Sequence, residues 1–164
     1  KPPDIQKKLH ELTQLRGAGK LTRPDFVIAA AEIAGDSQEN LSRHSAPVND
    51  KNTVLLDYIK VLKGDGYTIG LLSNVGSNWI REQLLNIDEQ KLFDDMTLSY
   101  EVGMVKPDPR FYALSAQRLS IPLEQCVLID DVESYCQGAK DVGMQAIQYQ
   151  NFGQFKVELE KLIL

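Results

Sequence analysis

The chain has 164 residues, 43% of them hydrophobic and 25% charged, and it carries a formal net charge of −5. This composition is typical of one globular domain that folds without disulfides; it excludes a disordered chain and argues weakly against a nucleic-acid-binding surface. No apolar run could cross a membrane, no signal-peptide pattern is present and two cysteines make no disulfide framework, so we predict a cytoplasmic protein without membrane or nucleic-acid partners.

Residues 1–50 have the pattern of a small helical subdomain. Apolar residues recur every three or four positions from Ile5, which predicts a first helix. Thr22 and Asp25 form a capping box at the start of a second helix. The polar, proline-interrupted residues 36–51 predict a loop or a short helical connection.

Residues 51–164 alternate short apolar segments with amphipathic helices. The predicted strands lie at 67–74, 96–100, 127–130 and 145–149, and the predicted helices at 53–63, 77–86, 108–119, 133–142 and the C-terminal end. Such alternation indicates a parallel sheet that helices cover on both faces. The sequence therefore predicts an α/β fold with a three-layer parallel sheet.

Polar residues follow three of the predicted strands. Ser73 and Asn74 end the first strand, Lys106 lies in the loop after the second, and Asp130 and Asp131 end the third. Open α/β sheets bind ligands at the carboxyl ends of their strands. A hydroxyl, an ammonium and two carboxylates at that edge suit a phosphate and a divalent cation. We therefore expect Lys106 and Asp130 to converge beside Ser73.

Each of these residues also has a simpler structural explanation. Ser73 and Asn74 could cap the helix that follows them. Lys106 could be a solvated lysine before a turn, and Asp131 could cap a helix beside an exposed Asp130. The combination, in this order and at three strand ends, favours a binding site.

Three motifs in this order resemble those of the haloacid dehalogenase-like (HAD) hydrolase superfamily. LLSN resembles the second motif of that family, VGMVKPDPRFY the third and VLIDDVESYCQGAKDVGM the fourth, and the likeness covers residues 67–149. The residues to which the resemblance assigns roles are Lys106 and Ser73 for catalysis, Ser73, Asn74 and Lys106 for phosphate binding, and Asp130 and Asp131 for Mg²⁺.

The resemblance also implies a domain organisation and an activity. Residues 1–50 would form a helical cap and residues 51–164 a Rossmann-like core. The reaction would be Mg²⁺-dependent hydrolysis of a small phosphorylated metabolite through an aspartyl-phosphate. Dehalogenation, the sister chemistry, needs no metal, so the pair Asp130 and Asp131 favours phosphate esters.

The first motif of that family is an Asp-x-Asp whose first aspartate attacks phosphorus. The chain does not contain it, because no two of its aspartates are two residues apart. We expect this motif upstream of Lys1, on a strand that lies between the strand of Asp130 and the strand of Ser73. Those two strands would then not pair with each other.

A second interpretation is a catalytically degenerate relative with a binding or regulatory role. Tyr135 stands where relatives often carry asparagine, and Val132 and Glu133 replace a common Ser-Pro. A receiver-type signalling domain also combines an acidic pair, a hydroxyl and a Lys-Pro, but in the reverse chain order, so we reject it. Cap residues would select the substrate, which the sequence leaves open together with the oligomeric state.

Overall fold

Short strands alternate with helices along the chain in the computed structural model, which describes residues 3–44 and 51–163. The α-helices are α1 (Pro3–Gly17), α2 (Arg23–Ala34), α3 (Gln38–His44), α4 (Thr53–Gly64), α5 (Ile87–Gln90), α6 (Ser99–Val102), α7 (Pro109–Leu119), α8 (Glu133–Asp141) and α9 (Phe152–Ile163). The strands are β1 (Gly70–Ser73), β2 (Asp95–Leu98), β3 (Val127–Asp130) and β4 (Gln145–Gln148). No helix within the described ranges is long and apolar enough to span a membrane.

The helices begin where the sequence places capping residues. The Thr22 hydroxyl accepts a hydrogen bond from the backbone N–H of Asp25 at 3.3 Å, as the capping box predicts, and it also donates to the Asp25 carboxylate at 2.6 Å. The Asp108 carboxylate accepts from the backbone N–H of Arg110 at 2.9 Å and caps α7. These side chains satisfy N–H groups that the first turn of a helix leaves unpaired. The predicted connection at 36–51 contains α3, and its residues 45–50 lie outside the described ranges.

Two predicted elements differ from the observed ones. The helix predicted at 77–86 is a single π-helical turn at Ile80–Leu84. The strand predicted at 96–100 ends at Leu98, and the chain turns at once into α6. Ser99 explains this turn, because its buried hydroxyl donates to the Gly17 carbonyl at 2.5 Å and accepts from the Val75 N–H at 2.8 Å. Contacts between distant segments decide the local structure here.

Within the described residues, the four strands form two separate pairs. β1 pairs with β2, and β3 pairs in parallel with β4, where Asp130 is opposite Gln148. Asp94 fixes the start of the first pair, since its N–H donates to the Ile69 carbonyl at 2.7 Å and its carboxylate accepts from the Ile69 N–H at 2.8 Å. The parallel α/β arrangement is confirmed for β3 and β4.

Helices cover both faces of the β3–β4 pair. Leu128 packs against Tyr112 of α7 on one face. Ile147 packs against Leu62 of α4 and Phe155 of α9 on the other face. Helices therefore bury both faces of this pair. The polar residues of the two strands lie at the strand ends.

The chain divides into two compact units. Unit 1 comprises residues 1–51, 73–86 and 98–105, and unit 2 comprises residues 52–72, 87–97 and 106–164. In unit 1, α1 packs on α2, and the Arg16 guanidinium lies 5.0 Å from the centre of the Phe26 ring. The division into a helical cap at 1–50 and a Rossmann-like core at 51–164 stays a prediction.

Candidate functional site

Lys106 and Asp130 form a buried ion pair in unit 2. Their side chains are only 7% and 8% exposed, and the Lys106 ammonium donates to the Asp130 carboxylate. The same ammonium donates to the backbone carbonyl of Leu72 in β1 at 3.1 Å. One cation therefore contacts the carboxyl-terminal ends of both β1 and β3. The expected convergence of Lys106 and Asp130 is confirmed, and the explanation of Lys106 as a solvated lysine is wrong.

The turn from β3 into α8 holds the Asp130 carboxylate in place. Its second oxygen, Oδ1, accepts from the backbone N–H of Val132 at 2.9 Å. The Asp130 carbonyl accepts from the Tyr149 N–H at 2.9 Å and from the Cys136 thiol at 3.4 Å. Asp130 is thus a fixed anion with both carboxylate oxygens engaged, and the explanation of Asp130 as merely exposed is wrong.

This buried anion affects two titratable neighbours. Burial, reinforced by the charge of Asp130, raises the pKa of the Cys136 thiol. The same two causes, in the same order, raise the pKa of the Tyr112 hydroxyl. Both groups therefore stay protonated at neutral pH, so neither supplies a nucleophile to the site.

The aromatic ring of Tyr135 is a component of the site that the sequence did not indicate. Its centre lies 5.2 Å from the Lys106 ammonium, within the range of a cation–π interaction. The Tyr112 hydroxyl donates to the Tyr135 carbonyl at 2.8 Å and fixes this turn of α8. In the sequence, Tyr135 is visible only as a departure from the family motif.

Asp131 lies next to the ion pair in the chain but is exposed. α8 begins after Val132 without a side-chain cap, so the explanation of Asp131 as a helix cap is wrong. Two adjacent carboxylates, one of them exposed, fit a hard cation such as Mg²⁺, which takes one or two carboxylates and keeps several waters. Within the described residues, no three His, Cys, Asp or Glu side chains form a metal cluster.

Ser73 and Asn74 occupy the end of β1 and the loop after it. Ser73 follows Leu72 directly, and Ser73 and Asn74 are half-buried members of unit 1. The next helical turn begins after Trp79 and has no side-chain cap, so Ser73 and Asn74 do not cap it. Their predicted role in phosphate binding stays a prediction.

A family model described as haloacid dehalogenase-like hydrolase matches residues 29–149. The chain is 30% identical over 118 residues to the bifunctional epoxide hydrolase 2 of Sus scrofa, an alignment that covers 68% of the chain and 21% of that protein. It is 28% identical over 97 residues to a phosphorylated carbohydrates phosphatase of Thermotoga maritima, covering 59% of the chain and 45% of the phosphatase. The chain thus spans less than half the length of either protein.

Solved structures agree with the family match at the level of the fold. A HAD family enzyme of Bacteroides thetaiotaomicron superposes with a TM-score of 0.68 at 24% identity, covering 88% of the chain and 75% of the enzyme. A second structure of that enzyme, in complex with magnesium and inorganic phosphate, superposes with a TM-score of 0.65 at 20% identity, covering 92% of the chain and 87% of the enzyme. With its α/β fold and with motifs and a family match that cover most of its length, the chain belongs to the haloacid dehalogenase-like hydrolase family.

Proposed function

We propose that this chain provides the phosphate- and metal-binding part of a Mg²⁺-dependent hydrolase of small phosphate monoesters. The observation that carries the proposal is the buried Lys106–Asp130 pair, whose ammonium also contacts the Leu72 carbonyl immediately before Ser73. A buried, preorganised cation at strand ends suits a reaction in which charge develops on phosphoryl oxygens.

Lys106 would neutralise phosphoryl oxygens as a point charge. Asp130 and the Leu72 carbonyl hold its ammonium in place, so little reorganisation is needed when a phosphate binds. Tyr135 covers this ammonium with its ring. The hydroxyl of Ser73 and the amide of Asn74 would donate hydrogen bonds to the phosphate.

Asp130 and Asp131 would hold the metal ion. When bound, Mg²⁺ would neutralise negative charge on the transferring phosphoryl group. Asp131 offers an exposed carboxylate, and Lys106 holds the neighbouring Asp130 carboxylate in place. The magnesium and phosphate found with the Bacteroides enzyme support this assignment by analogy.

We assign the attacking aspartate, and the aspartyl-phosphate that it forms, to a segment upstream of Lys1. Pairing within the described residues joins β1 to β2 and β3 to β4, while Lys106 contacts the ends of both β1 and β3. A further strand between β1 and β3 would deliver a carboxylate directly to Lys106.

The test is hydrolysis of p-nitrophenyl phosphate by the whole protein that contains this chain. We expect Mg²⁺-dependent turnover that Asp130→Asn abolishes. The matched control is Asp88→Asn, which removes a carboxylate from an exposed ion pair with Lys91 and should leave turnover unchanged. Unchanged activity of Asp130→Asn would overturn the proposed role of Asp130.

The second candidate function is that of a non-catalytic relative that binds a phosphorylated ligand. The position of the Tyr135 ring over Lys106 favours it, since this bulky residue replaces the smaller side chain frequent in the family. A whole protein that binds inorganic phosphate in a Lys106-dependent manner but gives no turnover with Mg²⁺ would support this alternative over the hydrolase.

A further inference from the structure

Unit 1 contains a cavity of about 410 Å³, and the described residues that line it include none of those assigned to chemistry. Its walls come from the end of α1, the start of α2 and the segment around the π-helical turn. Arg16 and Arg23 both line it, together with neutral polar residues such as Thr22. Among the described residues, no acidic side chain lines the cavity.

The two guanidinium groups give this cavity an uncompensated positive charge. Within the described part of the chain, neither Arg16 nor Arg23 forms an ion pair with a carboxylate. Arg23 donates to the Ser42 carbonyl at 3.3 Å, and Arg16 lies over the Phe26 ring. Burial, reinforced by the charge of Arg23, lowers the pKa of Arg16. An anion would relieve this repulsion and accept several donors at once.

A glycine keeps two walls of the cavity close together. A Cβ atom at Gly76 would lie 3.0 Å from Arg16 Cγ and 3.1 Å from the Arg16 carbonyl. A side chain at Gly76 would therefore displace Arg16, so the close approach of these two walls depends on glycine at this position.

Trp79 provides an aromatic wall and an unused donor. It lines the cavity, and its indole N–H is buried with no hydrogen-bond partner among the described residues. A buried donor without a partner is unfavourable, so an acceptor from a ligand or from water would stabilise it. The lining residues thus supply two cationic side chains, a hydrogen-bond donor that lacks a partner among the described residues, and an apolar aromatic surface.

We propose that this cavity binds the carboxylate or phosphate group of a small molecule through Arg16 and Arg23. Gly76 follows Ser73 by three residues, which places the two within roughly 11 Å of each other along an extended chain. If Ser73 binds the scissile phosphate, as the proposed function requires, the cavity would receive a second acidic group of the same substrate. The substrate class is then a phosphate monoester that carries another anionic group.

Binding to the whole protein is measured by the fluorescence of Trp79, the one tryptophan of residues 1–164, without any need for turnover. The probes are 3-phosphoglycerate and glycerol 3-phosphate, which differ in a carboxylate, and inorganic phosphate. We expect 3-phosphoglycerate to bind at least about tenfold more tightly than glycerol 3-phosphate. Equal affinities for these two probes, or no response to any probe, would overturn the proposal.

Arg23→Gln is the decisive variant, because Arg23 is exposed and its loss should leave the fold intact. We expect it to remove the preference for 3-phosphoglycerate, with an unchanged melting temperature. The control is Arg118→Gln at the exposed end of α7, which should keep the preference. A preference that survives Arg23→Gln would overturn the assignment of this residue.

Hydrolysis of the same two esters separates this inference from the proposed function. A kcat/KM that favours 3-phosphoglycerate and depends on Arg23 supports both. Arg23-dependent binding without turnover of either ester supports the cavity and contradicts the hydrolase. Turnover of both esters with equal kcat/KM supports the hydrolase and contradicts the second anion site.

Discussion

Lys106 should contribute far more to stability than a lysine in a surface ion pair. Lys106→Met leaves the Asp130 carboxylate buried without its cation, and removing one partner of a buried pair costs about 3–5 kcal/mol. We expect a loss of that size in the free energy of unfolding, measured by urea denaturation of the whole protein.

The matched comparison is Lys91→Met, whose partner Asp88 lies on the surface. The side chains of that pair are 68% and 82% exposed, so its removal should cost at most about 1 kcal/mol. Similar losses in the two variants would contradict the buried character of the Lys106–Asp130 pair.

At the scale of residues, the sequence predicted which side chains meet but not how they are held. The meeting of Lys106 and Asp130 could be predicted, because parallel strands end at the same edge of a sheet. The position of the Tyr135 ring over the Lys106 ammonium depends on the orientation of α8 relative to α7. The Tyr112 hydroxyl helps to fix that orientation. Packing of this kind has no local signal in the sequence.

Gly138 in α8 should not tolerate alanine, although alanine favours helices. A Cβ atom there would lie 2.8 Å from Pro107 Cβ and 2.9 Å from the Tyr112 hydroxyl. Overpacking of this kind costs about 1–3 kcal/mol, more than the roughly 1 kcal/mol by which alanine is the better helix former. We therefore expect Gly138→Ala to lower the melting temperature.

Gly64→Ala in α4 is the control for helix propensity alone. Beyond the backbone of its own helix, a Cβ placed there would meet no atom of the described residues within 4 Å. The variant should be neutral or up to about 1 kcal/mol more stable in the same melting experiment. A stabilised Gly138→Ala variant would show that α8 and α7 are less tightly packed than the structure indicates.

Asp94 should make the start of the β1–β2 pair sensitive to acid. Its ion pair with Lys63, and then the Ile69 N–H, lower the pKa of Asp94. A carboxyl group with a lowered pKa stabilises the fold above its unfolded pKa of about 3.9, and this stabilisation is lost as the pH falls through the folded pKa. The contribution is about 1 kcal/mol, because the side chain is 38% exposed and solvent screens it.

The measurement compares urea unfolding of the wild type and of Asp94→Asn between about pH 7 and pH 3. The wild type should be the more stable protein at neutral pH, and the difference should shrink below about pH 4. A difference that stays constant over this range would contradict the role of the carboxylate charge.

At the scale of elements, the sequence predicted the starts of α2 and α7 well and the ends of strands poorly. Thr22 caps α2 as predicted, and Asp108 caps α7 where a helix was predicted to begin, because a cap is a local interaction. The end of β2 was not predicted correctly, because the Ser99 hydroxyl forms hydrogen bonds with backbone groups 24 and 82 residues away in the chain. Elements fixed by distant partners cannot be read from a local pattern.

At the scale of the whole molecule, the two strand pairs predict a further strand. Each unpaired buried backbone group costs about 1–3 kcal/mol, whereas a domain is stable by only ~5–15 kcal/mol. We therefore expect residues 1–164 expressed alone to be unfolded or aggregated, as seen by size-exclusion chromatography and circular dichroism. Addition of the strand-bearing segment that the proposed function places before Lys1 should restore a monomeric species that unfolds cooperatively, and a well-behaved 164-residue monomer would contradict this prediction.

The contacts of Lys106 have a consequence for how the history of such chains is inferred. Its ammonium joins the ends of β1 and β3, so selection for folding alone would retain Lys106 and Asp130 after a lineage had lost its chemistry. Retention of this pair therefore does not separate an enzyme from an inactive descendant. Asp131 is exposed, and within the described residues its only hydrogen bond is the one that its backbone carbonyl accepts from Gln148. A carboxylate at position 131 should thus indicate more reliably than the Lys106–Asp130 pair that a lineage has been selected for catalytic activity.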